Sequence, residues 1–291
     1  MNSTLNNNIV ASAFESRTVE AAGVLTHYLV AGSGPLVVLI HGGGAGADSF
    51  GNWGSIIPQL SGEYHVVAVD MVGFGKTIGP VPDESLYTQA GRNRWLAAFV
   101  EALGEGPAIL VGNSMGGATA LGVAMQRADL VSRLVLMGAA GLGVTRSPSP
   151  QLRAVMEYDF TYEGMERVVQ ALTGSGFEVQ SDLVRYRQDL VMQPGNREGL
   201  SNVQKHTRAT GGMTYPDAEI AKISVPTLAL WGKEDMVVPL EDAFRFLQLI
   251  GPSWGYIVPG CGHWPMIEKP DVFVSAFRAF QALAPSPQGV S

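Results

Sequence analysis

Apolar runs and helical stretches alternate along most of this chain. Arg17–Ala21 and Leu25–Val30 read as two strands turned at Gly23. Leu36–Ile40 is an unbroken apolar run that ends in His41 and a cluster of glycines. Ser55–Leu60 reads as a short helix. His65–Asp70 (HVVAVD) is another continuous run, the pattern of a strand buried on both faces. The rhythm continues with Tyr87–Leu103 at helical spacing, Ala108–Gly112 as a strand, Met115–Gln126 as an Ala- and Met-rich helix and Leu134–Met137 as a strand. It breaks at about Gly141. Residues 141–216 read as mainly helical and polar, punctuated by SPSP at 147–150 and GG at 211–212. It resumes with a strand over Thr227–Trp231, a helix over Leu240–Ile250, a strand over Tyr256–Val258 and a last helix over Pro270–Leu283.

Buried strands that alternate with helices predict an α/β fold with a mostly parallel sheet and helices on both faces. The break predicts one core domain made of residues 1–140 and 217–291, with 141–216 inserted as a helical domain. Met1–Ser12 is polar and Asn-rich and lacks a basic start followed by a long apolar stretch, so it reads as a flexible tail rather than a signal peptide. Pro285–Ser291 reads as a second tail.

Composition narrows the function. The 291 residues are 46% hydrophobic and 15% charged, which excludes a disordered chain. One cysteine excludes a disulfide scaffold. No apolar run reaches the ~20 residues of a membrane-spanning helix. A net charge of −7 argues against a nucleic-acid binder, but one local arginine still suffices to bind an anionic small molecule. Glycine is in excess at 36 of 291 residues, against the usual ~7%.

Three glycine-rich turns follow predicted strands. His41-Gly42-Gly43-Gly44-Ala45-Gly46-Ala47 fits the G-x-G-x-x-A of a dinucleotide loop, with Asp70 as the acid further on. Two strands precede it, however, and Asp70 lies beyond the usual ~20 residues. The same loop also fits an oxyanion loop, where small residues let N–H groups approach a reacting oxygen, or a plain tight turn. The second turn, Gly112-Asn113-Ser114-Met115-Gly116-Gly117, is G-x-S-x-G between a buried strand and a helix. That context exposes Ser114 as a nucleophile and aims the Met115 N–H at a developing oxyanion.

A nucleophilic serine needs a base. Of His27, His41, His65, His206 and His263, only His263 follows the last predicted strand, in the third glycine turn, Gly260–Trp264. The order serine, acid, histidine then places the acid after Thr227–Trp231, at Glu234 or Asp235; Asp235 is preferred. Asp70 precedes the serine and is assigned to bracing the turn at Val72–Gly75. Gly43 is the second oxyanion donor, with Gly42 as its alternate. Cys261 reads as a small buried residue.

These residues resemble the α/β-hydrolase superfamily over nearly the whole chain, and within it the meta-cleavage product hydrolases. The matching stretches are HGGGAGADSFGNW (41–53), DMVGFGKT (70–77), GNSMGGATALG (112–122), WGKEDMVVP (231–239) and GCGHWPMIEKP (260–270). Asn113 before the serine and Trp264 after the histidine are particular to this family. The GAGADS-GNW string and YDFTYEGM (158–165) look most like its carbazole-type members, which act on an aminophenyl product. The resemblance implies an eight-stranded sheet with a helical lid after strand 6. It implies hydrolysis of a C–C bond in a 2-hydroxy-6-oxo-hexa-2,4-dienoate, with no cofactor and no metal. It implies substrate contacts from Asn52, Asn113, Trp264 and Arg187, with Arg185 as a near neighbour of the last. Val237 stands where biphenyl-type members carry an aromatic residue, which implies a differently shaped aryl pocket. A cytoplasmic homo-oligomer, favouring a dimer, is implied as well. The rivals are a general carboxylesterase, an NAD(P)-dependent oxidoreductase and a non-catalytic hydrolase-like sensor.

Overall fold

Eight strands build one sheet in this computed structural model, which describes residues 14–79, 81–143 and 147–284. They are β1 (Glu15–Ala21), β2 (Val24–Ala31), β3 (Leu36–Ile40), β4 (His65–Val69), β5 (Ala108–Asn113), β6 (Val131–Met137), β7 (Thr227–Gly232) and β8 (Ser253–Val258). Their order is β1-β2-β4-β3-β5-β6-β7-β8. β1 and β2 pair antiparallel, as do β2 and β4, and every other pair is parallel. The sequence therefore reads the fold class correctly. All residues of β3, β5 and β7 are buried, because helices cover both faces of the sheet centre. β1 at one edge is largely exposed, and β8 at the other is partly covered.

Helices α1 (Ser49–Trp53) and α2 (Ile57–Leu60) lie between β3 and β4, α3 (Gln89–Leu103) leads to β5, and α4 (Met115–Gln126) joins β5 to β6. Between β6 and β7 come α5 (Pro150–Met156), α6 (Tyr162–Leu172), α7 (Ser181–Val191), α8 (Pro194–Ala209) and α9 (Asp217–Ile220). α10 (Leu240–Leu249) joins β7 to β8, and α11 (Pro265–Glu268) and α12 (Pro270–Leu283) follow. The helical stretch after β6 is thus where the sequence places it. Its two ends meet: the Tyr215 N–H donates to the Gly141 carbonyl at 2.8 Å. No helix among the described residues is long and apolar enough to cross a membrane.

Some boundaries differ from expectation. β6 and β8 begin earlier than their apolar cores, at Val131 and Ser253. The helix expected from Tyr87 starts at Gln89, because Thr88 caps it by accepting the Gly91 N–H. α1 was not expected; Asp48 caps it by accepting the Gly51 N–H. The tails expected at Met1–Ser12 and Pro285–Ser291 lie outside the described residues.

Candidate active site

β5 delivers Ser114 into a tight turn. Ser114 has φ 55° and ψ −116°, a conformation that a residue with a side chain rarely adopts. The flanking glycines make the turn possible. A Cβ at Gly112 would lie 2.4 Å from the Gly116 carbonyl oxygen, and one at Gly116 would lie 2.5 Å from the carbonyl oxygens of Ile40 and His41. Met115 opens α4, so its N–H has no intrahelical acceptor and sits at the positive end of the helix. The Gly42–Gly44 loop approaches from β3. A Cβ at Gly42 would lie 3.2 Å from the Ser114 Cβ, and one at Gly43 would lie 2.8 Å from the Met115 Sδ. His41 braces this loop: its Nδ1–H donates to the Gly42 carbonyl, and its Nε2 accepts the Met71 N–H. Burial holds the imidazole below its ordinary pKa, which suits the neutral form these two bonds require.

Asp235 follows β7 and His263 follows β8. They are both buried, with Asp235 Oδ2 2.7 Å from His263 Nδ1. Asp235 Oδ1 accepts the N–H groups of Val237 and Val238. The neighbouring Glu234 turns outward and accepts from Ser175. Ser114 and His263 line one cavity of about 260 Å³. Among the described residues no hydrogen bond joins Ser114 to His263; such nucleophile–base pairs commonly tighten when substrate binds.

The same cavity is lined by Asn52, Asn113, Arg187, Trp264 and Val237. Arg187 is 0% exposed although it comes from α7 in the inserted stretch, whereas Arg185 is exposed. Its Nη2 donates to the Ala45 carbonyl at 2.9 Å, and its guanidinium sits 4.5 Å from the centroid of the Trp264 ring. Its Nε and Nη1 have no partner. Burial lowers its pKa to about 10, with the charge of Asp48 pulling the other way. Asn113 Nδ2 donates to the carbonyls of Met137 and His263, which leaves Asn113 Oδ1, like Asn52 Oδ1, buried and unpaired. Leu152, Val155, Met156 and Met213 supply apolar wall. Lining residues with two unpaired cationic nitrogens and two unpaired acceptors, in a cavity whose wall is mainly apolar but includes Gln204, Thr207 and Arg208, describe a site for a molecule with an anionic, polar head and an apolar tail.

A second Ser–His–Asp chain exists in the fold. Ser16 Oγ lies 2.7 Å from His27 Nε2, and His27 Nδ1 lies 2.7 Å from Asp70 Oδ2. None of the three lines the cavity, and Ser16 sits on the exposed edge strand β1. Asp70 also accepts the N–H groups of Ser49 and Lys76. Burial would raise its carboxyl, but the His27 bond, the charge of His41 and these N–H groups outweigh it and hold the pKa low. Asp70 thus braces the turn, as expected, and ties the N-terminal hairpin to it. With both oxygens engaged it is not free to take a ribose hydroxyl, and the Gly42–Gly46 loop is packed against Met115 and Arg187. These residues do not fit a dinucleotide. His65 pairs with Glu105, and His206 with Glu84 on the surface.

Sequence reasoning did not single out several residues that shape the site. A Cβ at Gly138 (φ +49°) would lie 2.8 Å from His263 Nδ1; the only hint is a glycine directly after an apolar strand. Buried Glu268 accepts the N–H groups of Gly174, Gly262 and Trp264, and so clamps the loop of His263. Asp48 and Tyr186 flank Arg187 and carry no sequence signature. Cys261 is buried, and burial, reinforced by Glu268, raises its thiol pKa.

A strained serine after one parallel strand, a carboxylate after a later one and a histidine after the last, under a helical insertion, define an α/β hydrolase. A family model described as the alpha/beta hydrolase fold matches residues 35–270. The 2-hydroxy-6-oxo-6-(2'-aminophenyl)hexa-2,4-dienoic acid hydrolase of Metapseudomonas resinovorans is 48% identical, over 92% of this chain and 91% of that one. The 2-hydroxy-6-oxo-2,4-heptadienoate hydrolase of Pseudomonas putida is 35% identical, over 91% of this chain and 96% of that one. The crystal structure of a serine hydrolase involved in carbazole degradation, the CarC enzyme, has a TM-score of 0.85 and 47% identity, over 93% of this chain and 100% of that one. The chain belongs to the α/β-hydrolase fold family and, within it, to the meta-cleavage product hydrolases.

Proposed function

We propose that this enzyme hydrolyses the C5–C6 bond of a 2-hydroxy-6-oxo-hexa-2,4-dienoate that carries an aryl group, such as 2'-aminophenyl, at C6. The products are 2-hydroxypenta-2,4-dienoate and an aromatic carboxylic acid. The observation that carries this reading is Arg187, a buried guanidinium with two unpaired nitrogens that lines the cavity of Ser114 and His263. An ester hydrolase needs no such group, whereas a dienoate presents a carboxylate to it.

A C–C bond has no ready leaving group. Ketonisation of the dienol supplies one: the 2-hydroxyl loses its proton as C5 gains one, and departure of C5 from C6 then gives a conjugated enolate. Arg187, Asn52 and Asn113 hold and polarise the dienoate head, and Trp264 packs against it. Ser114 Oγ then attacks the C6 carbonyl while His263 takes its proton and Asp235 fixes the tautomer of His263. The N–H groups of Met115 and Gly43, with Gly42 as the alternate, hold the oxyanion. The C5–C6 electron pair leaves to C5 as the conjugated enolate, which takes the proton that His263 carries and leaves His263 neutral. Water, activated by His263, hydrolyses the acyl-serine. Val237 lies on the wall beside the C6 substituent. Residues 141–216 act as a lid domain over the core of 1–140 and 217–291.

The test is a small panel of yellow ring-fission products with phenyl, aminophenyl, hydroxyphenyl and methyl groups, followed by loss of the dienolate absorbance. Decay with the aryl members supports the reading. No decay with any member, together with fast hydrolysis of p-nitrophenyl esters, would replace it with a carboxylesterase. The same reading includes a cytoplasmic homodimer, which light scattering of the purified protein would check.

A further inference from the structure

A guanidinium at 0% exposure is costly without a negative charge nearby. Yet among the described residues no carboxylate forms an ion pair with Arg187, and its one hydrogen bond goes to a carbonyl. The carboxylate that acts on it from a distance is Asp48. Asp48 is itself buried, and both of its oxygens are engaged elsewhere. Oδ1 accepts the Gly51 N–H at 2.7 Å, and Oδ2 accepts the Tyr186 hydroxyl at 2.5 Å.

The corner around these groups is closely fitted. A Cβ at Gly51 would lie 2.7 Å from Tyr186 Cε1 and 2.9 Å from Asp48 Oδ1. A Cβ at Gly46 would lie 2.2 Å from the Arg187 carbonyl oxygen. The Tyr186 ring also packs on Phe50, with centroids 5.7 Å apart. Tyr186 precedes Arg187 on α7, so the residue that restrains the carboxylate adjoins the residue the carboxylate would otherwise pair with. Neither Asp48 nor Tyr186 lines the cavity.

We propose that Tyr186 and the first turn of α1 hold Asp48 aside from Arg187, so that Asp48 balances the guanidinium charge while Nε and Nη1 stay open to the substrate carboxylate. Coulomb attraction falls off slowly with distance, whereas a charge-assisted hydrogen bond is lost as soon as the groups part. A carboxylate held one step away therefore keeps the first effect and gives up the second. A direct Asp48–Arg187 pair would have to be broken by every incoming substrate. Both residues are positioning residues for binding, and the inference rests on the anionic substrate proposed above.

The test is a double-mutant cycle on the full-length enzyme: Tyr186→Phe, Asp48→Asn and the pair. KM and kcat are read with the phenyl dienoate. Kd is read by calorimetry with 2-oxopentanoate, a stable carboxylate that resembles the dienoate head. Tyr186→Phe frees Asp48 to turn to Arg187, so KM and Kd rise about tenfold with kcat within about twofold. Asp48→Asn keeps the helix cap and removes a negative charge beside the ligand, so both constants fall about threefold. In the double variant they return to within about twofold of Asp48→Asn alone, because Tyr186 then has no charge to restrain. A Tyr186→Phe effect of the same size with and without Asp48 would overturn the inference, as would a weaker ligand affinity in Asp48→Asn. If wild type turned over no dienoate while the 2-oxopentanoate pattern held, the proposed reaction would fall and the inference would stand.

Discussion

Asp235 gives one oxygen to His263 and the other to its own chain. Oδ2 lies 2.7 Å from His263 Nδ1, while Oδ1 accepts the N–H groups of Val237 and Val238. These three contacts fix the carboxylate, and in the proposed mechanism it holds the histidine with Nε2 as the proton acceptor. Asp235→Asn would present an amide N–H to Nδ1 and favour the wrong tautomer. We expect kcat to fall about 10³–10⁴-fold with little change in KM, read by steady-state kinetics on the dienoate.

Ser114→Ala removes the proposed nucleophile and leaves Arg187, Asn52 and Asn113 in place. The variant should bind the dienoate and still ketonise it, but release no carboxylic acid. Rapid-mixing absorbance separates these phases. Full turnover would show that another group attacks.

Gly138 sits where a side chain would press on the Asp235–His263 pair. Gly138→Ala places a methyl group 2.8 Å from His263 Nδ1 at φ +49°. The expected cost is about 1–3 kcal/mol in stability, with a fall in kcat from the displaced base. Denaturant melts and kinetics on the same preparation check both.

Glu268 is one buried carboxylate shared by Gly174 of the helical insertion and by Gly262 and Trp264 on either side of His263. Glu268→Gln replaces an acceptor with a donor that faces N–H groups. A loss of about 2–3 kcal/mol should show in urea unfolding. Unchanged stability would mean that the clamp carries no net weight.

Burial, and then the charge of Asp70, raises the pKa of Asp48 to about 6, above the ordinary carboxylate range. The folded chain then holds this proton more tightly than the unfolded one. The stabilisation is complete below pH ~4 and is lost as pH rises through about 6. The stability of wild type relative to Asp48→Asn should therefore fall by up to about 3 kcal/mol between pH 4 and pH 7. Urea unfolding at both pH values measures it; a constant difference would mean that Asp48 titrates as an ordinary carboxyl.

The parts of the molecule that repeat a long-range rule were legible in the chain. β3, α4 and α12 run over the residues expected of them, because continuous apolar runs and Ala-rich helices have few other uses. α1 escaped because five residues with a central glycine are too short to show a helical period; it stands on the Asp48 cap and on burial of Trp53. β8 opens with Ser253-Trp254-Gly255, held by pairing with β7 rather than by its own hydrophobicity. The same division holds at the site. Ser114, Asp235 and His263 follow from glycine turns and chain order. Gly138, Glu268, Asp48 and Tyr186 matter through contacts between segments far apart in the chain, which no local pattern encodes.

The hydrogen bond between Gly141 and Tyr215 also bears on how such an enzyme can diversify. Seen from the sheet, the helices between β6 and β7 leave and return at one point. The entropy of closing an excursion grows only slowly with its length, so β6 and β7 remain neighbours whatever lies between them. The excursion supplies Arg187 and the apolar wall of Leu152, Val155, Met156 and Met213, so this part of the cavity lies in a different stretch of sequence from Ser114, Asp235 and His263. Helices in the excursion can be lengthened, exchanged or reshaped to admit a different acyl group, while Ser114 stays at the end of β5 and His263 after β8.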